Sequence, residues 1–296
     1  MGTTVILGAG GRLGAALARE WSAAGETVLA LDRHALSLGD FAMVKRVLGS
    51  LDFDALVNCA ALTNVDYCEG HREEALLING EAAGIVADVC EQKGARCIHI
   101  STDYVFDGLS SRPYVEEDVP LPVSVYGASK LAGERAVLTA GANHWAVRVS
   151  WVFGPDRPSF VDQIVTRALK EESVAAVADK WATPTYTLDA ATLLRPLLRE
   201  VSGGGVVHLS NTGVCSWQEY GQWALDCSGE FGLPLKARTV GAQGMSDIKA
   251  FIAKRPPFTV LNVSKLAGLT GQQPRPWREA VRSYLRSQCE LGVWSS

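Results

Sequence analysis

The sequence predicts an α/β protein: a doubly wound parallel sheet with a smaller, partly interleaved C-terminal domain. Two observations carry that expectation. Short runs rich in Val, Ile, Leu and Ala alternate with helix-patterned stretches through the first half of the chain, and strand–helix succession of this kind builds parallel sheets. The first of these runs empties into a glycine-rich turn that leads straight into a helical pattern. At 296 residues the chain can fill one large core or two unequal domains. The boundaries expected are 1–155 for a dinucleotide-binding domain, joined by 205–211, with 156–204 and 212–296 forming a substrate-binding domain.

Composition narrows the class of partner. Hydrophobic residues make up 47% and charged residues 20% of the chain, which is the balance of a globular protein and not of a disordered one. The formal net charge is −4, and no block of Lys and Arg stands out, so no nucleic-acid partner is expected. Seven scattered cysteines (Cys59, Cys68, Cys90, Cys97, Cys215, Cys227 and Cys289) lack CxxC spacing. They read as free thiols in a reducing compartment, with neither a disulfide framework nor a metal site. No run approaches ~18 uninterrupted apolar residues, and no basic, cleavable leader precedes Thr3. The expectation is a cytoplasmic protein with no membrane partner.

Taken in order, Thr3 to Leu7 is the first strand, and Gly8-Ala9-Gly10-Gly11-Arg12-Leu13-Gly14 is the turn into a helix beginning near Ala15. Glycines permit the tight turn and close backbone approach to a pyrophosphate, whose charge meets free N–H groups at a helix N-terminus. This is the context of a Rossmann-like dinucleotide site. Thr27 to Leu31 is the second strand and ends at Asp32-Arg33. An acid there can accept from an adenosine ribose, whereas the arginine could attract a 2′-phosphate, so NADH and NADPH both stay open. Asp40 is a candidate N-cap for a helix starting at Phe41. Asp54 to Asn58 is the third strand, and its small-residue end, Cys59-Ala60-Ala61, leaves room for a dinucleotide backbone.

A long helix from Glu73 to Gln92 is expected to break near Gly80 and Gly84. Arg96 to Ile100 is the fourth strand, running into Ser101-Thr102-Asp103-Tyr104, and a hydroxyl at that strand end lies where open α/β sheets bind ligands. His99, inside the apolar strand, reads as a satisfied core histidine. After an acidic, proline-punctuated loop comes Tyr126-Gly127-Ala128-Ser129-Lys130. Tyr126 and Lys130 share one helix face, and an ammonium beside a phenol favours the phenolate, so the tyrosine can exchange a proton with a carbonyl or alcohol oxygen. Trp145 to Val149 is the fifth strand. Beyond Pro155 the rhythm loosens: helices are expected over 160–171 and 189–199, strands over 173–178 and 206–210, a helix capped by Ser216 with Glu219, and a last helix from Pro276, followed by a loose tail through Trp294.

With these motifs in place the chain resembles the extended short-chain dehydrogenase/reductases and, within them, the dTDP-4-dehydrorhamnose reductase family. The resemblance rests on Gly8 to Gly14, Val57 to Asp66, Ser101 to Gly108, Glu116 to Glu134, Arg148 to Gly154, Asp179 to Tyr186 and Arg255 to Leu266, in order along nearly the whole chain. It implies a catalytic set of Thr102, Tyr126 and Lys130, with Lys130 also holding the nicotinamide ribose. The cofactor set implied is Gly8, Gly10, Gly11, Arg12, Leu13, Gly14, Asp32, Arg33, Asp40, Phe41, Cys59, Ala60, Ala61 and Thr63, together with Tyr126 and Lys130. Asn64, Val65, Thr102, Asp103, Trp151 and Arg255 are implied on the substrate side, with Arg255 facing a diphosphate. Cys59, Leu62 and Asn64 depart from the family pattern, the last two on the substrate side. The implied reaction is NADPH- or NADH-dependent reduction of the C4 ketone of a dTDP-linked deoxysugar, with a homodimer compatible with the family. Two other readings stand beside it: another sugar-nucleotide reductase or epimerase of the superfamily, and a non-catalytic regulatory subunit resembling the methionine adenosyltransferase β subunit.

Overall fold

The computed structural model describes residues 2–294. Six parallel strands form the central sheet, in the spatial order Gly205–Leu209, Trp145–Val149, Arg96–Thr102, Ala55–Asn58, Thr3–Leu7, Thr27–Leu31. The first strand is flanked by the second on one side and the third on the other, so the chain leaves it in one direction and returns in the other. That reversal opens a crevice beyond the carboxyl ends of the first and third strands, between Gly8 and Cys59. The doubly wound parallel sheet expected from the sequence is therefore present.

Thr4 to Leu7 of the first strand are all buried, with side chains alternating between two covered faces. Ile6 joins Val57, Ile98 and Val147 under the helices Arg12–Ala23 and Thr187–Arg199, whereas Val5 and Leu7 turn to the other face with Leu56 and Cys97. A second core gathers around the helices Phe160–Lys170, Trp217–Glu230 and Trp277–Glu290, with Phe153, Tyr220, Trp277 and Tyr284 at its centre. Ser216 caps its helix with the reciprocal Glu219 bond, as its sequence suggests. Two details differ from expectation. The helix Thr187–Arg199 packs on the main sheet, not with the second core, because its apolar stripe (Ala190, Leu194, Leu197) faces Trp21, whose indole donates to the Ala191 carbonyl. Trp294 is not a free tail: it packs on the second core and its indole nitrogen donates to Thr166.

The helix after Arg72 is interrupted around Gly80, as expected, by a change of helix type and not by a gap, and it is regular at Gly84. It runs from Arg72–Leu76 through a π turn, Leu77–Glu81, into Ala82–Gln92. The glycines also serve close packing: a Cβ on Gly84 would stand 3.0 Å from the Ala136 Cβ in the neighbouring helix, Val125–Ala140. The wider turn lets Asn79 point inward, a point that bears on the site below. Among the described residues no helix is long and apolar enough to cross a membrane, and the seven cysteines are free thiols.

Candidate active site

A cavity of about 850 Å³ lies over the carboxyl ends of the sheet and extends from the glycine turn, past Cys59 and Ala60, to Thr102, Tyr126 and Trp151. At its first end the helix Arg12–Ala23 begins without any side-chain cap, since Gly11 stands at the N-cap. The N–H groups of the first turn are thus left for an outside acceptor, which is the requirement of a bound pyrophosphate. Gly14 is needed for that geometry: a Cβ there would run into the Gly8 carbonyl oxygen. Gly8, Gly10, Gly11, Leu13, Asp32 and Arg33 all line this end. The Asp32 carboxylate accepts from the His34 and Ala35 N–H groups, at 2.9 Å each, and these bonds lower its pKa. A dinucleotide cofactor fits this cradle of unpaired N–H groups and strand-end acid.

Arg12 lines the cavity but spends its guanidinium on the polypeptide. It donates to the carbonyls of Val152 (3.0 Å), Arg157 (3.1 Å) and Pro158, and Arg157 answers with a 2.5 Å bond to the Gly10 carbonyl. The 152–158 segment is thereby clamped over the glycine turn. Arg157 is a lining residue that sequence reasoning missed, because nothing local marks an arginine that reaches across from the loop after Phe153. Asp40 and Phe41 do not reach the cavity. Asp40 caps its helix through the Met43 N–H, and Phe41 packs beside Val44 and Leu48, while Leu36, Ser37 and Leu38 of the preceding loop take the place at the wall.

At the other end Thr102 closes its strand. Its hydroxyl accepts from Tyr104 N–H (3.2 Å) and donates to Asp103 (3.1 Å), and Tyr126 lines the cavity beside it. Burial pushes the Tyr126 pKa up, and the nearby Thr102 hydroxyl pulls it back. Lys130 is buried to 2% exposure, and burial draws its pKa down to about 8 against the opposing pull of Glu134. Its Nζ lies 3.0 Å from Nε2 of His99, so the core histidine of the sequence analysis touches the lysine. Cys59 is a neutral small side chain here, its thiol pushed up to about 12 by burial.

Several local bonds set the Tyr126 helix. Ser124 caps it through Gly127 N–H, and Glu69 accepts from Val125 N–H. Gly127 allows the first turn to press against the Tyr104 carbonyl, where a Cβ would collide. Asn79, from the π turn, exchanges two bonds with the Leu62 backbone (2.8 and 3.0 Å) and donates to Ser129 (3.0 Å), tying the Leu62–Thr63 wall to the helix. Sequence reasoning passed over Asn79; a buried asparagine in an apolar helical run was the available signal.

The substrate-side expectations divide. Val65 and Trp151 line the cavity, as does Thr63 of the cofactor set. Trp151 is the one non-glycine residue with positive φ among those described, at 41°, and its ring is set by Trp217 and Tyr220. Asn64 instead caps the helix Val65–Gly70 through Tyr67 N–H. Asp103 borders the cavity, but its carboxylate turns inward to Ser150 (2.8 Å) and Thr259 (2.6 Å), where burial raises its pKa against the pull of Lys180. Arg255 does not line this cavity: it pairs with Asp66, lies 3.6 Å over the Phe251 ring and borders a smaller neighbouring cleft with Phe251, Ile252 and Pro257.

The family described as "RmlD substrate binding domain" matches residues 2–289. The chain is similar to a dTDP-4-dehydrorhamnose reductase of Mycolicibacterium smegmatis, 39% identical over 94% of this chain and 83% of that protein. It is also similar to a dTDP-4-keto-6-deoxy-D-glucose reductase of Streptomyces niveus, 36% identical over 94% of each. The crystal structure of a dTDP-4-dehydrorhamnose reductase from Bacillus anthracis in complex with NADP superposes with a TM-score of 0.90, at 30% identity, covering 97% of this chain and 99% of that one. The chain belongs to the RmlD substrate binding domain family, that of the dTDP-4-dehydrorhamnose reductases.

Proposed function

We propose that this protein reduces the C4 ketone of a dTDP-linked 6-deoxysugar, dTDP-4-dehydro-L-rhamnose first among candidates, with NADPH or NADH. The observation that carries the reading is that the Thr102 and Tyr126 hydroxyl residues line one end of a cavity whose other end is an uncapped, glycine-lined helix N-terminus. The nicotinamide cofactor, when bound, supplies the hydride. Gly10, Gly11, Leu13 and Gly14 would hold its pyrophosphate, Asp32 and Arg33 its adenosine end, and Cys59, Ala60 and Ala61 the backbone between.

In this reading Tyr126 gives its phenolic proton to the C4 oxygen as negative charge develops there. Thr102 donates a second hydrogen bond to the same oxygen, and Lys130 stabilises the phenolate left behind. Donors aimed at charge that exists mainly in the transition state raise the rate, not merely the affinity. Burial of Tyr126 suits a proton donor, since it keeps the phenol protonated until substrate arrives. Trp151, fixed at its positive-φ position, forms the wall against the sugar.

The test is a panel of nucleotide 4-keto sugars assayed by NADPH and NADH oxidation. Tyr126→Phe should lose about 10²–10⁴-fold in kcat with cofactor affinity retained. Turnover unchanged by that substitution removes Tyr126 from its role, and a panel with no turnover removes the activity. The Streptomyces niveus relative gives reason to place dTDP-4-keto-6-deoxy-D-glucose on the panel as the second substrate.

A further inference from the structure

Behind Lys130 runs a buried hydrogen-bond chain whose donors and acceptors can be counted. Asn58 and His99 are register partners on neighbouring strands and are 1% and 0% exposed. The Asn58 carboxamide oxygen accepts from Ala60 N–H at 3.1 Å, which turns its Nδ2 toward His99 Nδ1 at 3.3 Å. An amide nitrogen only donates, so Nδ1 must carry the lone pair. His99 is neutral, since burial holds its pKa well below the ordinary value. The single imidazole proton is therefore on Nε2, aimed at Lys130 Nζ 3.0 Å away. An ammonium has no lone pair to receive it, and a neutral amine does.

We propose that Asn58, acting through the His99 tautomer, is a positioning device that favours the neutral amine of Lys130 in the free protein. Proton gain by Lys130 then requires the chain to reverse or to open. In the reversed chain Nδ1 carries the proton, Nε2 accepts from the ammonium, the Asn58 amide turns over, and Ala60 N–H loses its acceptor. Ala60 lies on the cavity wall, so the charge on Lys130 is tied to the wall's conformation. Opening is the alternative: Lys130 swings from His99 toward the cavity and becomes an ammonium there.

The other groups facing Lys130 fit this account. Glu134, one helical turn further on, is already taken by Arg148 in a two-bond pair (2.8 and 2.9 Å) and by Ser101 (2.5 Å). Cys59 is a neutral thiol. Tyr126, one turn back, is a neutral phenol in the absence of ligand. His99 is thus the direct hydrogen-bond partner recorded for the Lys130 amine.

The inference goes deeper into the site proposed above and rests on Lys130 being the lysine that serves Tyr126, but its test needs neither cofactor nor substrate. The free protein is labelled with ¹⁵N-histidine, and the ring-nitrogen shifts of His99 are assigned by their loss in His99→Gln. Recorded above pH 8, where Lys130 is mainly the neutral amine, the expected spectrum is a neutral ring protonated at Nε2. Asn58→Asp should invert it: a carboxylate accepts from both Ala60 N–H and Nδ1–H, leaving Nε2 to accept from the Lys130 ammonium. An Nδ1–H tautomer in the unsubstituted protein above pH 8 overturns the proposal even if the variant fails to fold. A folded Asn58→Asp protein with an unchanged tautomer overturns it as well. Absence of ketosugar turnover would sink the activity and leave this measurement intact.

Discussion

The guanidinium of Arg255 closes on the carboxylate of Asp66, with Nη2 2.5 Å from Oδ2 and Nη1 3.1 Å from Oδ1. Asp66 also accepts from the backbone N–H groups of Ile252 (2.8 Å) and Ala253 (3.0 Å), so one carboxylate fastens the 252–255 segment to the helix Val65–Gly70. That helix begins beside Thr63 on the cavity wall. An arginine that reads from sequence as an anion-binding side chain is here a tie between the two halves of the molecule.

Asp66→Asn should therefore loosen the 252–255 segment and lower stability by about 1–2 kcal/mol at neutral pH. The Arg255 bond, helped by the two backbone N–H groups, holds the Asp66 pKa down to about 2, below the ~3.9 of an unfolded chain. A group depressed in the folded state stabilises fully above its unfolded pKa and loses that contribution as pH falls through the folded value. The urea midpoints of the two proteins should differ at pH 7 and converge as pH drops from 4 toward 2. A gap that does not close would assign the effect to something other than this carboxylate.

Arg33 stands exposed at the cavity wall next to Asp32, and the two have opposite preferences for an adenosine 2′-phosphate. Asp32 is anchored by its own turn, whereas Arg33 is free to adjust. Arg33→Ala should raise the KM for NADPH about tenfold and change that for NADH little, since a guanidinium fork binds phosphate and gives a ribose hydroxyl much less. The ratio of kcat/KM for the two cofactors is the measurement. Equal losses for both would show that Arg33 does not meet the 2′-phosphate.

The parts of this site that were legible in the sequence are those coded by neighbours in the chain. Gly8 to Gly14 carry their own turn, Thr102 follows from the end of its strand, and Tyr126 and Lys130 follow from one helix spacing. Asp40 and Asn64 were misplaced for a common reason: both precede helices, and their short side chains bond the first-turn N–H groups more readily than a ligand. Asp103 and Arg255 turned inward because partners distant in sequence, Thr259 at one and Asp66 at the other, satisfy them first. Asn79, Arg157 and the link from His99 to Lys130 depend wholly on tertiary contacts, which no local pattern announces.

Asn79 makes three bonds that cannot be shared out among other groups. Asn79→Ala would leave the Leu62 N–H without its partner and the Leu62 carbonyl with only the weak Cys68 thiol donor at 3.7 Å, on a half-buried wall, at a cost of about 1–3 kcal/mol. Asn79→Asp keeps the acceptor for Leu62 N–H but loses both donations, and adds a buried charge. Thermal unfolding should rank the original protein above the alanine variant and the aspartate variant lowest. KM for the sugar should rise in both, as the Leu62–Thr63 wall comes away from Ser129.

Gly127 offers a test of how tightly the proton donor is placed. The first turn of the Val125–Ala140 helix rests on the Tyr104 carbonyl, two residues beyond Thr102, and a Cβ at 127 would collide with that oxygen. Backbone cannot retreat as a flexible side chain can, so Gly127→Ala must lift the helix start or push the Thr102–Tyr104 segment. Either movement separates the Tyr126 phenol from the Thr102 hydroxyl. The substitution favours helix by propensity, worth up to about 1 kcal/mol, yet the collision should win, with a net loss of about 1–3 kcal/mol. The kcat should fall far more than cofactor affinity, because the glycine turn lies at the other end of the cavity. A Gly127→Ala protein of unchanged stability and kcat would mean that the helix start tolerates displacement, and that the proton donor does not depend on this contact for its position.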